Sequence, residues 1–358
     1  MTLADTVVVV LFVGITAYAV LGGADFGAGF WDLFAGDAER GRPQRVLIEQ
    51  AIGPVWETNH VWLIFVLVVL WTCFPPAFAS IMSTLFIPLT LVAVGIILRG
   101  SGFALRKLVE PVRLQRFYGG SFALSSVVTP FFLGAVAGAI ASGRVPVGNA
   151  AGNPITSWLN PMGVLGGTLA VVTCAYLAAV FLTADADRRG RDDLCGAFRS
   201  RALIMGAVTG VVALGGIGVV RNDAPALAEQ LTHRGLPLVI LSALAGVGSM
   251  ILLWTGYYAW ARVSGALAVT AVIWGWGVGQ YPYLLMGTLT IEQAAAPDAT
   301  LTAVLVSLGI GALVLVPSFI LLYTLNLRDD LGEASALEDS AESAESAESA
   351  ESMTGTQR

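Results

Sequence analysis

Four ionisable residues lie inside segments that are otherwise apolar. Asp25 and Asp32 fall within "VLGGADFGAGFWDL" (20–33), and Glu57 and His60 within "GPVWETNHVWLIF" (53–65). A charge near the centre of a membrane helix costs at least ~2.5–3.5 kcal/mol, so such a group normally faces protein or water and marks a functional position. Carboxylates held there can take up and release protons. Glu57 and His60 stand three residues apart and share one helix face, with Trp56 and Asn59 beside them and Trp62 a turn further on. Two uses suit that face: a proton relay, or a local pairing of Glu57 with His60 that caps the helix. Asp32, next to Trp31 and one turn from the end of its segment, reads as an interfacial anchor. His60 is the sole imidazole inside these segments, and a lone His on a polar face is more often a hydrogen-bond partner than a haem ligand. His233 sits in a connecting loop and is assigned no role. Cys73, Cys174 and Cys195 show no C-x-x-C pairing, and the two histidines are far apart, which excludes the usual spaced zinc and iron–sulfur sites.

The elements that must position these groups are transmembrane helices. The 358 residues are 56% hydrophobic and 12% charged, with mean hydropathy +0.76, against about a quarter charged in a soluble domain. Apolar runs long enough to cross a ~30 Å hydrocarbon core fall near 6–34, 51–74, 77–99, 119–141, 161–183, 202–221, 236–261, 263–286 and 301–325. The seventh and eighth are separated only by "WARVSG", so a tight turn is expected at Arg262. The fold expected is an all-α polytopic membrane protein of about nine helices, arranged as two four-helix bundles plus one further helix.

Charge placement orients it. With the N-terminus outside, sixteen Lys and Arg fall on the inner side (among them Arg99, Arg106 and Arg262), and only Arg144, Arg221 and Arg234 fall on the other. The C-terminus is then inside. The start "MTLADTVVVVLFVGITAYAV" lacks the charged lead and cleavage site of a signal peptide and reads as a retained first span. In this topology Asp25 lies about ten residues, or ~15 Å, above the inner loop, and Glu57 about six residues, or ~9 Å, above the same loop. Both acids then occupy the inner half of the membrane, as a proton entry route requires. Residues 1–328 form the membrane domain. The stretch 329–358 is an Ala-Glu-Ser repeat with nine acids and one Arg, leaving the rest of the chain at +2, and is expected to be disordered. Small residues four apart (Gly23/Gly27, Gly134/Gly138, Gly206/Gly210, Gly275/Gly279) predict closely packed helices.

Beyond these physical readings, "VLGGADFGAGFWDL", "GPVWETNHVWLIF", "LRGSGFALRK" (98–107) and "WGWGVGQYPYLL" (274–285) resemble, in order, the signatures of subunit II of cytochrome bd-type quinol oxidases. The resemblance covers residues 1 to about 328. It implies a multi-pass subunit, in a bacterial cytoplasmic membrane, of an enzyme that oxidises quinol and reduces oxygen to water. It implies a partner, subunit I, that carries the haems and the substrate quinol site. This chain would ligate no haem and no metal, would not be active alone, and would bind no nucleic acid. The resemblance leaves open a small accessory subunit as a further partner, and quinone occupies subunit II of some members as a structural ligand. By the same resemblance Asp25 and Glu57 belong to a proton pathway, Trp56, Asn59 and Trp62 match the pattern around Glu57, and Arg99 matches the Arg that closes the third span; His60 joins them as a supporting polar residue. Gly22 stands where the family usually has a further acid. The competing reading from the residues alone is a proton-coupled secondary transporter with Asp25 and Glu57 as carriers, although neither a repeat nor a midplane site is visible.

Overall fold

The computed structural model describes residues 2–36, 39–53, 56–106, 108–109, 111–318, 320–321 and 324. Pro54 and Val55 of the second signature, and the whole acidic stretch 329–358, lie outside the described residues. Among the described residues nine helices are long and apolar enough to cross a membrane. They are the first span Leu3–Leu33, second Trp56–Cys73, third Phe86–Leu105, fourth Arg113–Ala141, fifth Pro161–Arg188, sixth Asp192–Asp223, seventh Leu236–Thr255, eighth Tyr258–Gln280 and ninth Asp298–Ser318. Short helices Arg42–Ile52, Pro75–Thr84 and Pro225–Thr232 connect them, and Tyr283–Leu285 pairs antiparallel with Leu289–Thr290. The all-α membrane fold is as expected, with that small hairpin as an addition.

Contacts divide the chain into two units, Met1–Leu301 and Thr302–Arg358. In the second, the described part of the ninth span is a helix without a charged side chain. In the first, the fifth span is the hub: it packs along the first, fourth, sixth and eighth. The second span lies on the first, the third on the fourth, and the seventh on the sixth and eighth.

Glycine makes the central contacts possible. A methyl group built on Gly27 would lie 1.8 Å from the carbonyl oxygen of Cys174, and one on Gly134 would lie 2.2 Å from that of Gly166. The first, fourth and fifth spans therefore touch backbone to backbone, as small-residue spacing permits. Beside Gly27, the Trp31 indole N–H donates to the Ala175 carbonyl at 2.8 Å and fixes the rotation of the first span on the fifth. Gly27→Val must push these helices apart. It is expected to destabilise the protein by about 1–3 kcal/mol, read as a lower melting temperature, because an overpacked core cannot relax freely. Gly210→Val, where nothing lies within 4 Å, should leave stability unchanged.

Two expected boundaries are corrected. The run 77–99 is not one crossing: a short helix ends at Thr84, the backbone turns at Leu85 (φ −103°, ψ 27°), and the third span runs from Phe86 to Leu105. Arg99 therefore does not close that span; it lies inside it and is 1% exposed. The turn between the seventh and eighth spans falls at Gly256, not Arg262, because Gly256 adopts φ +88°, a left-handed conformation open to glycine at a helix C-terminus. Arg262 sits in the second turn of the eighth span and donates to Asp185 at 3.0 Å.

Candidate functional site

A π-turn at Tyr18–Gly22 interrupts the first span one residue before the helix that carries Asp25 and Asp32. It widens the helix locally and resets the face that the following turns present. Asp25 is thereby aimed at the interior, with 3% of its surface exposed, and Arg99 of the third span meets it. The Arg99 guanidinium donates to both carboxylate oxygens, at 2.6 and 3.1 Å, and to the Asp25 backbone carbonyl at 3.0 Å. Its Nε–H donates to Ser126 Oγ of the fourth span at 3.0 Å. The rings of Phe26 and Phe122 cover the two sides of the cation at 4.8 and 4.9 Å. Both members of this pair are desolvated, so paired donors and π faces must replace the water they lost.

Two turns further along, the same two helices meet again. Asp32, 6% exposed, accepts from Arg106 at 2.9 Å and from Arg45 at 2.9 Å, and Arg106 also donates to Glu49 at 2.6 Å. The Arg106 guanidinium lies 5.0 Å from the Phe122 ring, so one phenyl group serves both arginines. Asp25 and Asp32 are seven residues apart, and so are Arg99 and Arg106. The two ion pairs are rungs of a ladder between the first and third spans, leaning on Phe122 and Ser126 of the fourth. Gly95 and Gly102 flank Arg99 on the same face. A methyl group on Gly95 would lie 2.3 Å from Thr129 Oγ1, and one on Gly102 would lie 2.7 Å from the Tyr118 carbonyl. Asp32, which its neighbourhood in the sequence marked as an interfacial anchor, is thus the buried centre of a network of charges.

The second signature behaves differently. Glu57 lies in the first turn of the described helix Trp56–Cys73 and is exposed. Asp25 is brought to Arg99 and not to Glu57. Asn59 is buried and donates to the Leu21 carbonyl in the π-turn at 3.4 Å, tying the second span to that widened turn. His60 is half-buried between the rings of Phe26 and Trp56, at 6.3 and 6.4 Å, and neither of its nitrogens has a hydrogen-bond partner. A Glu57–His60 hydrogen bond is therefore not formed. Trp56 also packs on Phe103 at 5.5 Å, and Trp62 on Phe65 at 6.2 Å. Tyr18 Oη is likewise buried without a partner, and the Tyr18 ring covers Gly22, lying 3.1 Å from where a Cβ would stand. The Tyr18 ring thus closes the space beside Gly22.

The fourth signature positions rather than reacts. Trp274 donates to Thr16 Oγ1 at 3.1 Å, Trp276 to Gln280 Oε1 at 2.7 Å, and Gln280 to the Leu284 carbonyl at 2.7 Å. Phe12 of the first span packs on both indoles, at 6.0 and 5.8 Å.

Known proteins resemble this chain over most of its length. The family described as cytochrome bd terminal oxidase subunit II matches residues 3–326. The chain is 26% identical over 324 residues to the cytochrome bd ubiquinol oxidase subunit 2 of Bacillus subtilis, covering 87% of this chain and 89% of that protein. It is 27% identical over 356 residues to the cytochrome bd-I ubiquinol oxidase subunit 2 of Escherichia coli K12, covering 88% and 89%. In three dimensions it is similar to a chain of the bd oxidase from Geobacillus thermodenitrificans, with a TM-score of 0.72 and 26% identity over 91% of this chain and 98% of that one. The chain belongs to the cytochrome bd terminal oxidase subunit II family.

Proposed function

We propose that this chain is the haem-free subunit of a bacterial quinol:oxygen oxidoreductase, lying in the cytoplasmic membrane with its N-terminus outside. It braces a haem-bearing subunit I and passes cytoplasmic protons toward it through Glu57. The haems, held by the partner, supply electron transfer and oxygen reduction. The observation that carries this reading is the face on which Glu57 stands. Glu57, Val61, Ile64, Val68 and Trp71 are all exposed on the second span, and they recur at steps of four and three residues, which makes one stripe. Val61, Ile64, Val68 and Trp71 are each half or more exposed. A carboxylate on an apolar membrane stripe is costly against lipid, but not against a protein partner that receives its proton. Asp25 has another part in this reading. Both its oxygens accept from Arg99, and it serves to hold the first and third spans together.

In this reading His60, packed against Phe26 and Trp56, supports the site as a polar side chain and does not ligate haem. The relatives' names point to ubiquinol or menaquinol as the electron donor class.

Purification of the chain from its own membranes tests the reading. It is expected to bring down a haem-bearing partner, seen in a reduced-minus-oxidised spectrum. Ile64→Trp and Val68→Trp should reduce the co-purified haem severely, whereas Ile251→Trp, at an exposed site on the seventh span, should not. Unchanged haem yield in both stripe variants would place the partner on another face.

A further inference from the structure

At the end of the fifth span where Asn160 caps the helix, two cavities open side by side. The first, about 540 Å³, is apolar and is lined by Leu159, Pro161, Val164, Leu165, Val212 and Val219, with Thr168 at its far end. The second, about 530 Å³, sets the polar groups of Arg144, Asn153, Thr156 and Ser157 among apolar neighbours such as Pro146 and Ala151. Leu159, Asn160 and Pro161 border both, so the two form one amphipathic groove. Its apolar part lies between the fifth and sixth spans. Gly216 sits between Val212 and Val219, and a Cβ there would lie 2.8 Å from Leu165. The missing side chain lets Leu165 close the floor while the two valines form a wall.

We propose that this groove binds one membrane phospholipid, its headgroup among the polar residues and one acyl chain along the fifth and sixth spans. The inference rests on the membrane fold and not on the oxidase reading above. Three observations fix the occupant. The groove is open along its apolar part between two spans, where a bilayer presents acyl chains. From Pro161 to Thr168, and from Val212 to Val219, the apolar part covers seven residues, or ~10 Å along a helix, which is within the ~15 Å depth of one leaflet. That length holds the upper part of an acyl chain, the rest of which continues into the leaflet. The polar part offers a cation: Arg144 gives one N–H from each terminal nitrogen to Asp223, at 2.5 and 2.8 Å, so three of its five N–H donors lie outside that pair. Asp223 also accepts from the Met162 backbone N–H at 3.0 Å, so the arginine is held at the mouth of the groove by the ends of both spans.

The test uses the whole complex reconstituted in phosphatidylcholine vesicles containing a trace of phosphatidylcholine with a photoreactive diazirine in one acyl chain. After irradiation, labelled peptides are mapped by mass spectrometry. Labelling should concentrate on 159–168 and 212–219. Val164→Trp, which fills the groove, should lower labelling there at least ~10-fold. Leu214→Trp, exposed on the sixth span but outside the lining, should not. If Val164→Trp fails to assemble, the wild-type labelling map still decides. Labelling spread evenly over all lipid-facing helices would overturn the proposal. So would its displacement by a short-chain quinone, which would make the groove a quinone site.

Discussion

Arg99→Met will destabilise the protein by about 3–5 kcal/mol, the cost of leaving a buried charge without its partner. The substitution keeps most of the volume of the side chain between Phe26 and Phe122 but strands the Asp25 carboxylate, 3% exposed, among apolar rings. Asp25→Asn does the converse, leaving the guanidinium charge uncompensated with only neutral acceptors. The double variant Asp25→Asn/Arg99→Met removes both charges and should be more stable than either single variant, because the dominant cost is an unpaired charge and not a lost contact. Thermal melting of the purified complex, together with the amount of complex assembled in membranes, reads all three. Additive losses in the double variant would mean that the two residues act independently and that the ladder does not hold the helices together. The second rung should be more tolerant. Arg45 is 30% exposed and Glu49 31%, so water and the remaining partners can compensate when one member is removed.

The sequence alone carried much of this architecture. The count of nine crossings, the all-helical class and the close glycine contacts at Gly27 and Gly134 all follow from run length and small-residue spacing. The ion-pair ladder did not emerge, although its pattern is present. Asp25 and Asp32 are separated by the same seven residues as Arg99 and Arg106, and spans one and three run in the same direction, so one register satisfies both pairs. What hid it was the position of the third span. Hydropathy sees an unbroken run from 77 to 99, because the break at Leu85 involves neither a charge nor a glycine. With the helix ending at Arg99, both arginines look like loop charges. The turn at Gly256 was similarly missed, because the nearby charge at Arg262 is the more visible signal while the backbone responds to the residue that tolerates positive φ. Exposure was the third gap. Period and polarity place Glu57, Asn59 and His60 near one another, but only packing separates an exposed Glu57 from a buried Asn59 and an enclosed, unpartnered His60.

Glu57 is the residue on which function is expected to turn. Oxygen reduction consumes protons, and a side chain that hands them across a subunit boundary must both lose and regain one in each cycle. Glutamine fills the same space and keeps hydrogen-bonding capacity, but it cannot ionise. Aspartate can ionise and is one methylene shorter. Turnover in Glu57→Gln should therefore fall about 100-fold or more, the scale of a lost general acid–base, while Glu57→Asp should stay within about tenfold of the parent. Assembly should survive both changes, because Glu57 is exposed in this chain and none of the hydrogen bonds that tie the first, third and fourth spans together involves it. Electron entry should survive as well, since the role proposed for this carboxylate is proton delivery and not quinol oxidation. The direct measurement is oxygen consumption by the purified, fully assembled Glu57→Gln complex supplied with quinol, with haem content and haem reduction recorded in the same sample. Normal haem content, haems that reduce on adding quinol, and oxygen consumption close to zero are the predicted result; oxygen consumption at the parental rate would contradict it.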